Sequence, residues 1–274
     1  MRYQIDHDIH IHSYLSLCSK HGRHVPQTIL NYAIENGLST IALTDHYWDE
    51  RVPGASFGGP YISGTAIWYA MQNTNRTDLA LPLPQHEGIR FLYGCETEMD
   101  KNFRIGISPE EMKRREFIII PTTHLHMGGF TLERDQNSER ERAELWEKRF
   151  AALLDMDIPF HKIGVAHLTC SLFSPKKTDQ SAAECLSLIS NDTMKELFGK
   201  AAKCGIGIEL NFSVADCEDV LDEILRPYRI ASECGCKFYF GSDAHGPDDF
   251  IGAKENFEQI VTLLDLDESQ KFKV

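Results

Sequence analysis

The chain has 274 residues, 42% of them hydrophobic, with 28 basic against 41 acidic side chains and a formal charge of −13. That length suits one large α/β barrel, while the negative balance excludes a general grip on long nucleic acid, whose phosphates are held mainly by Lys and Arg. No run approaches the ~20 apolar residues that cross a bilayer, and residues 1–4 carry no signal-peptide core, so no membrane partner is expected. The eight cysteines form no Cys-x-x-Cys pair, and only Cys234 and Cys236 lie close together. This pattern predicts reduced, mostly buried thiols and a cytoplasmic location.

Taken in order, the elements alternate between strand and helix. Residues 3–11 form an apolar run that ends in His10 and His12. A loop over 13–25 carries Cys18, His21 and His24, and a helix follows over 25–36, with Pro26 near its start and Gly37 just past its end. Residues 40–44 run into Asp45 and His46. A long Gly- and Pro-rich insertion then occupies 47–88, with a short helix expected over 65–72. The run 89–94 ends at Glu96, with Glu98 at the same parity. Ser108-Pro109-Glu110-Glu111 reads as an N-cap, a first-turn proline and a capping-box glutamate. The run 117–123 ends at His124, with His126 two residues on. A second insertion covers 126–147, and the later part of its charged stretch 133–142 begins a helix. Residues 163–166 end at His167, residues 206–210 carry Glu209 and reach Asn211, and residues 238–242 end at Asp243 and His245. Helices are expected over 192–204, 219–233 and 256–264.

Seven apolar runs thus end in side chains of metal-ligand type. Alternating strands and helices imply a parallel sheet, and in a closed barrel the C-terminal strand ends converge on one mouth. His10 and His12 lie two apart, so on a strand both imidazoles face one way, and Asp8 shares their parity. Asp8 would ligate or orient a ligand histidine. Asp243 and His245 repeat the geometry, and closure of the barrel would bring them against the first strand. Of Asp45 and His46, His46 is the one expected to enter the site. The favoured set is His10, His12, His21, His46, Glu96, His124, His167, Asp243 and His245, with His24 competing with His21. Nine ligands exceed one tetrahedral zinc and suit two or three divalent ions, with Zn, Mn and Fe all compatible. Cys18 reads as incidental packing. No Walker A loop, G-x-S-x-G elbow, H-E-x-x-H helix or dinucleotide turn is present.

In this order the motifs resemble the polymerase and histidinol phosphatase (PHP) family. The resemblance runs from Asp8-Ile9-His10-Ile11-His12 through Thr44-Asp45-His46 and Gly94-Cys95-Glu96. It continues through Thr123-His124, Ala166-His167 and Glu209-Leu210-Asn211 to Ser242-Asp243-Ala244-His245. Cys18-Ser19-Lys20-His21-Gly22 is similar to a loop of monofunctional histidinol phosphatases. The resemblance implies one domain over 1–274, a distorted seven-stranded (β/α) TIM-like barrel with a trinuclear metal site. By the same resemblance His10, His12, Glu96 and Asp243 would hold one metal, and His21, His46 and His245 a second. Glu96, as a bridge, would hold the third with His124 and His167. The family's fourth motif usually reads Ser-Val-His, whereas this chain has Thr122-Thr123-His124-Leu125-His126, which leaves His126 as the alternative ligand.

The expected activity is hydrolysis of a small phosphomonoester, histidinol phosphate being one candidate, by attack of a metal-bound hydroxide. Asp243, His245 and Glu96 are the catalytic candidates. Arg23, Arg51 and Arg134 are candidates for the phosphate rim. The alternatives are a phosphodiesterase or 3′-5′ exonuclease on short nucleotides, and a non-catalytic metal-binding module.

Overall fold

Among the described residues eight short runs, most of them rich in Ile, Val, Leu and Phe, form the strands. They are β1 (His7–Ile11), β2 (Thr40–Leu43), β3 (His46–Tyr47), β4 (Arg90–Thr97), β5 (Phe117–Ile119), β6 (Ile163–Val165), β7 (Gly207–Leu210) and β8 (Lys237–Phe240). All pair in parallel, in the order β1-β2-β4-β5-β6-β7-β8, with β3 continuing the line of β2 against β4. Just past β8 the chain returns to β1: Asp243 N–H donates to His10 C=O (2.8 Å) and His12 N–H to Ala244 C=O (2.9 Å). The result is a nearly closed barrel of seven staves. This computed structural model describes residues 1–19, 22–55 and 64–274.

Parity along each strand builds two layers. Ile9, Ala42, Leu92, Phe117, Ile119, Ala166 and Tyr239 pack together inside the barrel, and Phe272 packs with them. Their alternates, such as Ile118, Ile163, Val165, Ile208, Phe238 and Phe240, pack outward against the helices. The barrel is therefore a packed core, and only its mouth is polar.

The helices are α1 (Pro26–Asn36), α2 (Gly64–Ala70), α3 (Thr74–Thr77), α4 (Pro109–Arg114), α5 (Glu139–Leu154), α6 (Asp179–Ser187), α7 (Asn191–Cys204), α8 (Leu221–Glu233) and α9 (Ala253–Leu263). Gly37 and Gly205 end α1 and α7 in the left-handed region (φ 66° and 76°), where a side chain would strain the backbone. Helix α6 was not expected, because its nine residues are too few to show a helical period beside the preceding turn. The capping box at α4 is only half formed. Ser108 Oγ accepts from Glu111 N–H (3.3 Å), but the Glu111 carboxylate turns to Arg51, Arg114 and Arg115. The complete box caps α5, where Ser138 and Glu141 satisfy each other's backbone.

The two insertions meet above the barrel. Trp48, Ala55, Ala66 and Tyr69 from the first pack with Phe130 from the second as a separate apolar cluster. Beneath them Arg149 of α5, fully buried, donates to four carbonyls, those of Met99, Asp100, Thr122 and Thr131. Each buried carbonyl left without a donor costs about 1–3 kcal/mol, so Arg149→Met is expected to lower unfolding stability by more than about 3 kcal/mol. Denaturant unfolding reads this directly. A loss of less than about 1 kcal/mol, the size of an average point mutation, would contradict it.

Candidate metal centre

Each stave delivers its side chain through backbone geometry. β1 carries a bulge: Asp8 pairs with Ile41 but Ile11 with Leu43, so one extra residue lies between them. The extra residue flips the parity. His10 and His12 therefore face the mouth, whereas Asp8 points outward, accepting from Tyr32 Oη (3.2 Å) and Ser242 N–H (2.9 Å). This corrects the expectation that Asp8 shares the ligand face. Burial, partly offset by the bonds from Ser242, raises its pKa to about 6. At the end of β8, a side chain on Gly241 would collide with His10 and Glu209, so only glycine lets the strand approach. His167 and Asp243 sit at positive φ (61° and 55°), an unfavourable conformation for side-chain-bearing residues that here aims both into the mouth.

The side chains converge tightly. His10 Nε2 and His12 Nε2 are 3.1 Å apart. Asp243 Oδ1 lies 3.3 Å from the first and 3.0 Å from the second, and Glu96 Oε2 lies 3.7 and 3.4 Å from them. On the other side Glu96 Oε1 is 3.5 Å from His167 Nε2, and Asp243 Oδ2 is 3.7 Å from the same atom. His46 Nδ1 is 2.8 Å from Glu96 Oε2, and His245 stacks on His12 with ring centroids 4.1 Å apart. Among the described residues five groups bring their ligand atoms within 4.8 Å of one another: His10, His12 and Glu96; His12, His46 and His245; Glu96, His124 and His167; His10, His167 and Glu209; and His46, Glu96 and Glu98. Glu96 is common to three of them.

Outer partners fix the rings. His10 Nδ1 is 2.5 Å from Glu209 Oε1, His12 Nδ1 is 3.0 Å from Ser16 Oγ, and His124 Nδ1 is 2.6 Å from Glu98 Oε1. The Asn211 amide lies 2.7 Å from His167 Nδ1, and His245 Nδ1–H donates to Asp243 C=O (2.8 Å). With Nδ1 engaged outward, each of these rings turns Nε2 toward the centre, the usual arrangement around a bound metal. Asp45 accepts from the backbone and hydroxyls of Ser13 and Ser16, and so holds Ser16 against His12. The orienting roles of Glu209 and Glu98 were not expected from the sequence. Their inward parity, on β7 and just past β4, was the available signal.

Divalent cations fit this donor set. Both Glu96 oxygens, Asp243 Oδ1 and His46 Nδ1 are buried without a well-formed hydrogen bond, although His46 Nδ1 and Glu96 Oε2 face each other at 2.8 Å, and bound cations would relieve this arrangement. The charges agree. Burial opposes the charged form of His10, but Glu209, Asp243 and Glu96 outweigh it and hold its pKa well above the usual imidazole value. His46 is likewise raised by Glu96 against burial, and His167 by Glu96, Glu209 and Asp243. His12, buried beside His245 and His46, is lowered. Cations must displace the protons of the raised imidazoles, so affinity should fall as pH drops through and below those raised values. Calorimetric zinc titration in buffers of different ionisation enthalpy is expected to show net proton release. Equal heats in all buffers would contradict it.

Several sequence candidates fall elsewhere. His21 lies outside the described residues. His24 is buried against Phe250 (5.3 Å) and belongs to none of the ligand groups among the described residues. His126 stands edge-on to His124 (5.5 Å) at the cavity wall and is absent from those groups, whereas His124 is present in one. Burial and the neighbouring His124 lower His126 to about 4, which leaves it neutral at pH 7. Arg51 is paired with Asp49 (2.7 Å), and Arg134 packs beside Gly129. Cys18, set aside from sequence, lines the cavity. Partial desolvation opposes its thiolate, but hydrogen bonds to His245 and His46 outweigh this and bring its pKa to about 7.

Above the centre lies a cavity of about 570 Å³. Glu96, His46, His124, Asp243 and His245 form its floor, and Trp68, Tyr69, His126, Met127 and Leu172 its walls. Trp68 and Tyr69 come from the first insertion and Met127 from the second. Among the described residues no Lys or Arg lines it.

The fold is similar to the crystal structure of a histidinol phosphate phosphatase from Lactococcus lactis complexed with zinc, L-histidinol and phosphate. The TM-score is 0.54 at 16% sequence identity, over 98% of this chain and 99% of that one. No curated protein sequence matches the chain at a significant level. Residues 8–213 match the PHP domain family, a span that begins at the β1 bulge and ends just past Asn211. The chain belongs to the PHP domain family.

Proposed function

We propose that this chain is a metal-dependent phosphoric monoester hydrolase of the cytoplasm acting on a small substrate. The observation that carries the reading is the convergence of His10 Nε2, His12 Nε2, Glu96 Oε2 and Asp243 Oδ1, with Glu96 and Asp243 oxygens left unpartnered in a buried site. We assign two or three divalent ions, zinc, manganese or iron, to this centre. His10, His12, Glu96 and Asp243 hold one, and His46 and His245 hold a second, with His21 as the further candidate. Glu96, His124 and His167 hold the third. Bound ions would supply the positive charge for the phosphoryl oxygens and lower the pKa of a coordinated water.

The chain's own residues do the rest. With no cationic side chain among the described lining residues, the floor is the place for the phosphoryl group. Trp68, Met127 and Leu172 shape the space for the leaving group, and a cavity of about 570 Å³ suits a small molecule. Asp243 and His245, with side chains 32% and 26% exposed, are the centre's residues most open to the cavity and best placed to meet the leaving oxygen. Histidinol phosphate is one candidate, supported by the ligands of the similar structure.

The test is phosphate release from a panel of phosphomonoesters, histidinol phosphate included, beside a bis-ester analogue. Preferred turnover of one monoester is expected, and faster cleavage of the bis-ester would replace this reading with a phosphodiesterase. For the preferred substrate, Trp68→Ala is expected to raise KM by about 2- to 10-fold, the size of one aromatic contact, with kcat little changed. An unchanged KM would remove Trp68 from the binding wall.

A further inference from the structure

The mouth of the barrel and the first insertion are joined by a chain of hydrogen bonds that runs through Glu98. Tyr69 of α2 donates its hydroxyl to Glu98 Oε1 (2.7 Å), and His124 Nδ1–H donates to the same oxygen (2.6 Å). All three side chains are buried, and Glu98 is fully so. Its other oxygen, Oε2, has no hydrogen-bond partner, and Glu98 offers a ligand atom within 4.8 Å of those of His46 and Glu96. The terminal torsion of a glutamate is soft, so the carboxylate orientation depends on what grips it. Here two donors grip one oxygen.

We infer that Tyr69 is a positioning residue for the metal centre, acting through Glu98 to hold His124 with Nδ1–H outward and Nε2 toward Glu96 and His167. This rests on the proposed assignment of Glu96, His124 and His167 to a metal. Helix α2 is then a working part of that centre as well as a wall of the cavity. Its seat is apolar and independent of the hydroxyl: the Tyr69 ring stacks on Phe130 (5.1 Å, 14° between planes) and stands edge-on to Trp48 (6.2 Å). Without the hydroxyl, the Glu98 carboxylate keeps only the His124 donor and is free to turn its second oxygen into the cluster. The His124 ring loses its fixed orientation with it. Removing an outer partner of this kind typically lowers metal affinity about 10- to 100-fold.

Tyr69→Phe isolates the hydroxyl, because the ring contacts remain. Zinc-loaded wild-type and variant proteins are mixed with a chromophoric chelator, and zinc release is followed over time. The expected result is that one equivalent per chain leaves the variant at least about tenfold faster, while the remaining zinc leaves at the wild-type rate. Glu98→Gln, which keeps the shape but loses the charge, should accelerate the same phase. Melting of the metal-free proteins separates positioning from packing: metal-free Tyr69→Phe should fall only by the loss of one buried hydrogen bond, and the zinc-loaded form should fall further. Identical release from wild type and both variants would overturn the inference, as would equal losses of melting temperature with and without zinc. A wild-type protein that binds no zinc would instead overturn the metal-centre assignment, and this inference with it.

Discussion

Glu96→Ala is expected to abolish phosphate release and to leave the protein unable to retain its full metal complement, even in excess zinc. Glu96 belongs to three of the five ligand groups among the described residues. Its Oε2 faces His10, His12 and His46, and its Oε1 faces His167. Both oxygens are buried without a well-formed hydrogen bond, and imidazoles of the cluster face them, His46 Nδ1 nearest at 2.8 Å. Its pKa is held well below the usual range because His46 and His10 outweigh the burial that opposes its charge. Alanine would remove that negative charge from among several imidazoles and with it the bridge. The loss should exceed the ~10–100-fold typical of an outer hydrogen-bonding partner, and added metal should not restore it. Metal analysis beside a phosphate-release assay reads both effects. Full metal retention with normal turnover would show that the centre does not depend on Glu96.

Glu209→Gln should produce the next largest effect, of a different kind. Glu209 is fully buried on β7 and lies beside His10 Nδ1, while its second oxygen accepts from His167 N–H (3.3 Å). It touches two ligand residues from outside. A glutamine keeps the volume but removes the charge that strengthens the His10 bond. Zinc affinity is expected to fall by about 10- to 100-fold, and activity to recover as zinc is raised. Recovery at high zinc marks an orienting group, and its absence would make Glu209 a direct ligand. Unchanged affinity would mean that the short contact to His10 has no bearing on the centre.

Much of this was legible in the sequence because barrel closure converts chain order into spatial convergence. The apolar runs ending at His10, Glu96, His124, His167 and Asp243 became strands or their immediate extensions, and their final polar residues meet at one mouth. Helices α1 and α7 were marked by the glycines at their C-terminal ends. What escaped was what local patterns do not encode. Asp8 has the parity of a ligand, and only the bulge in β1, set by pairing with β2, turns it outward. Glu209 reaches His10 from 199 residues away, and Glu98 receives Tyr69 from an insertion whose sequence has no strand period to place it. The positive φ values of His167 and Asp243 depend on the surrounding turns. Cys18 was read as incidental because its neighbours His46 and His245 are distant in sequence.

Bound metal at this cluster is what would make the chain a phosphoesterase. The most direct measurement is a titration of metal-free protein with zinc while phosphate release from a phosphomonoester is followed. No release is expected before metal is added, then activity that rises with occupancy and saturates beyond one equivalent per chain. Release that is already complete in the metal-free protein, or that stays at zero with the cluster fully occupied across the substrate panel, would contradict it.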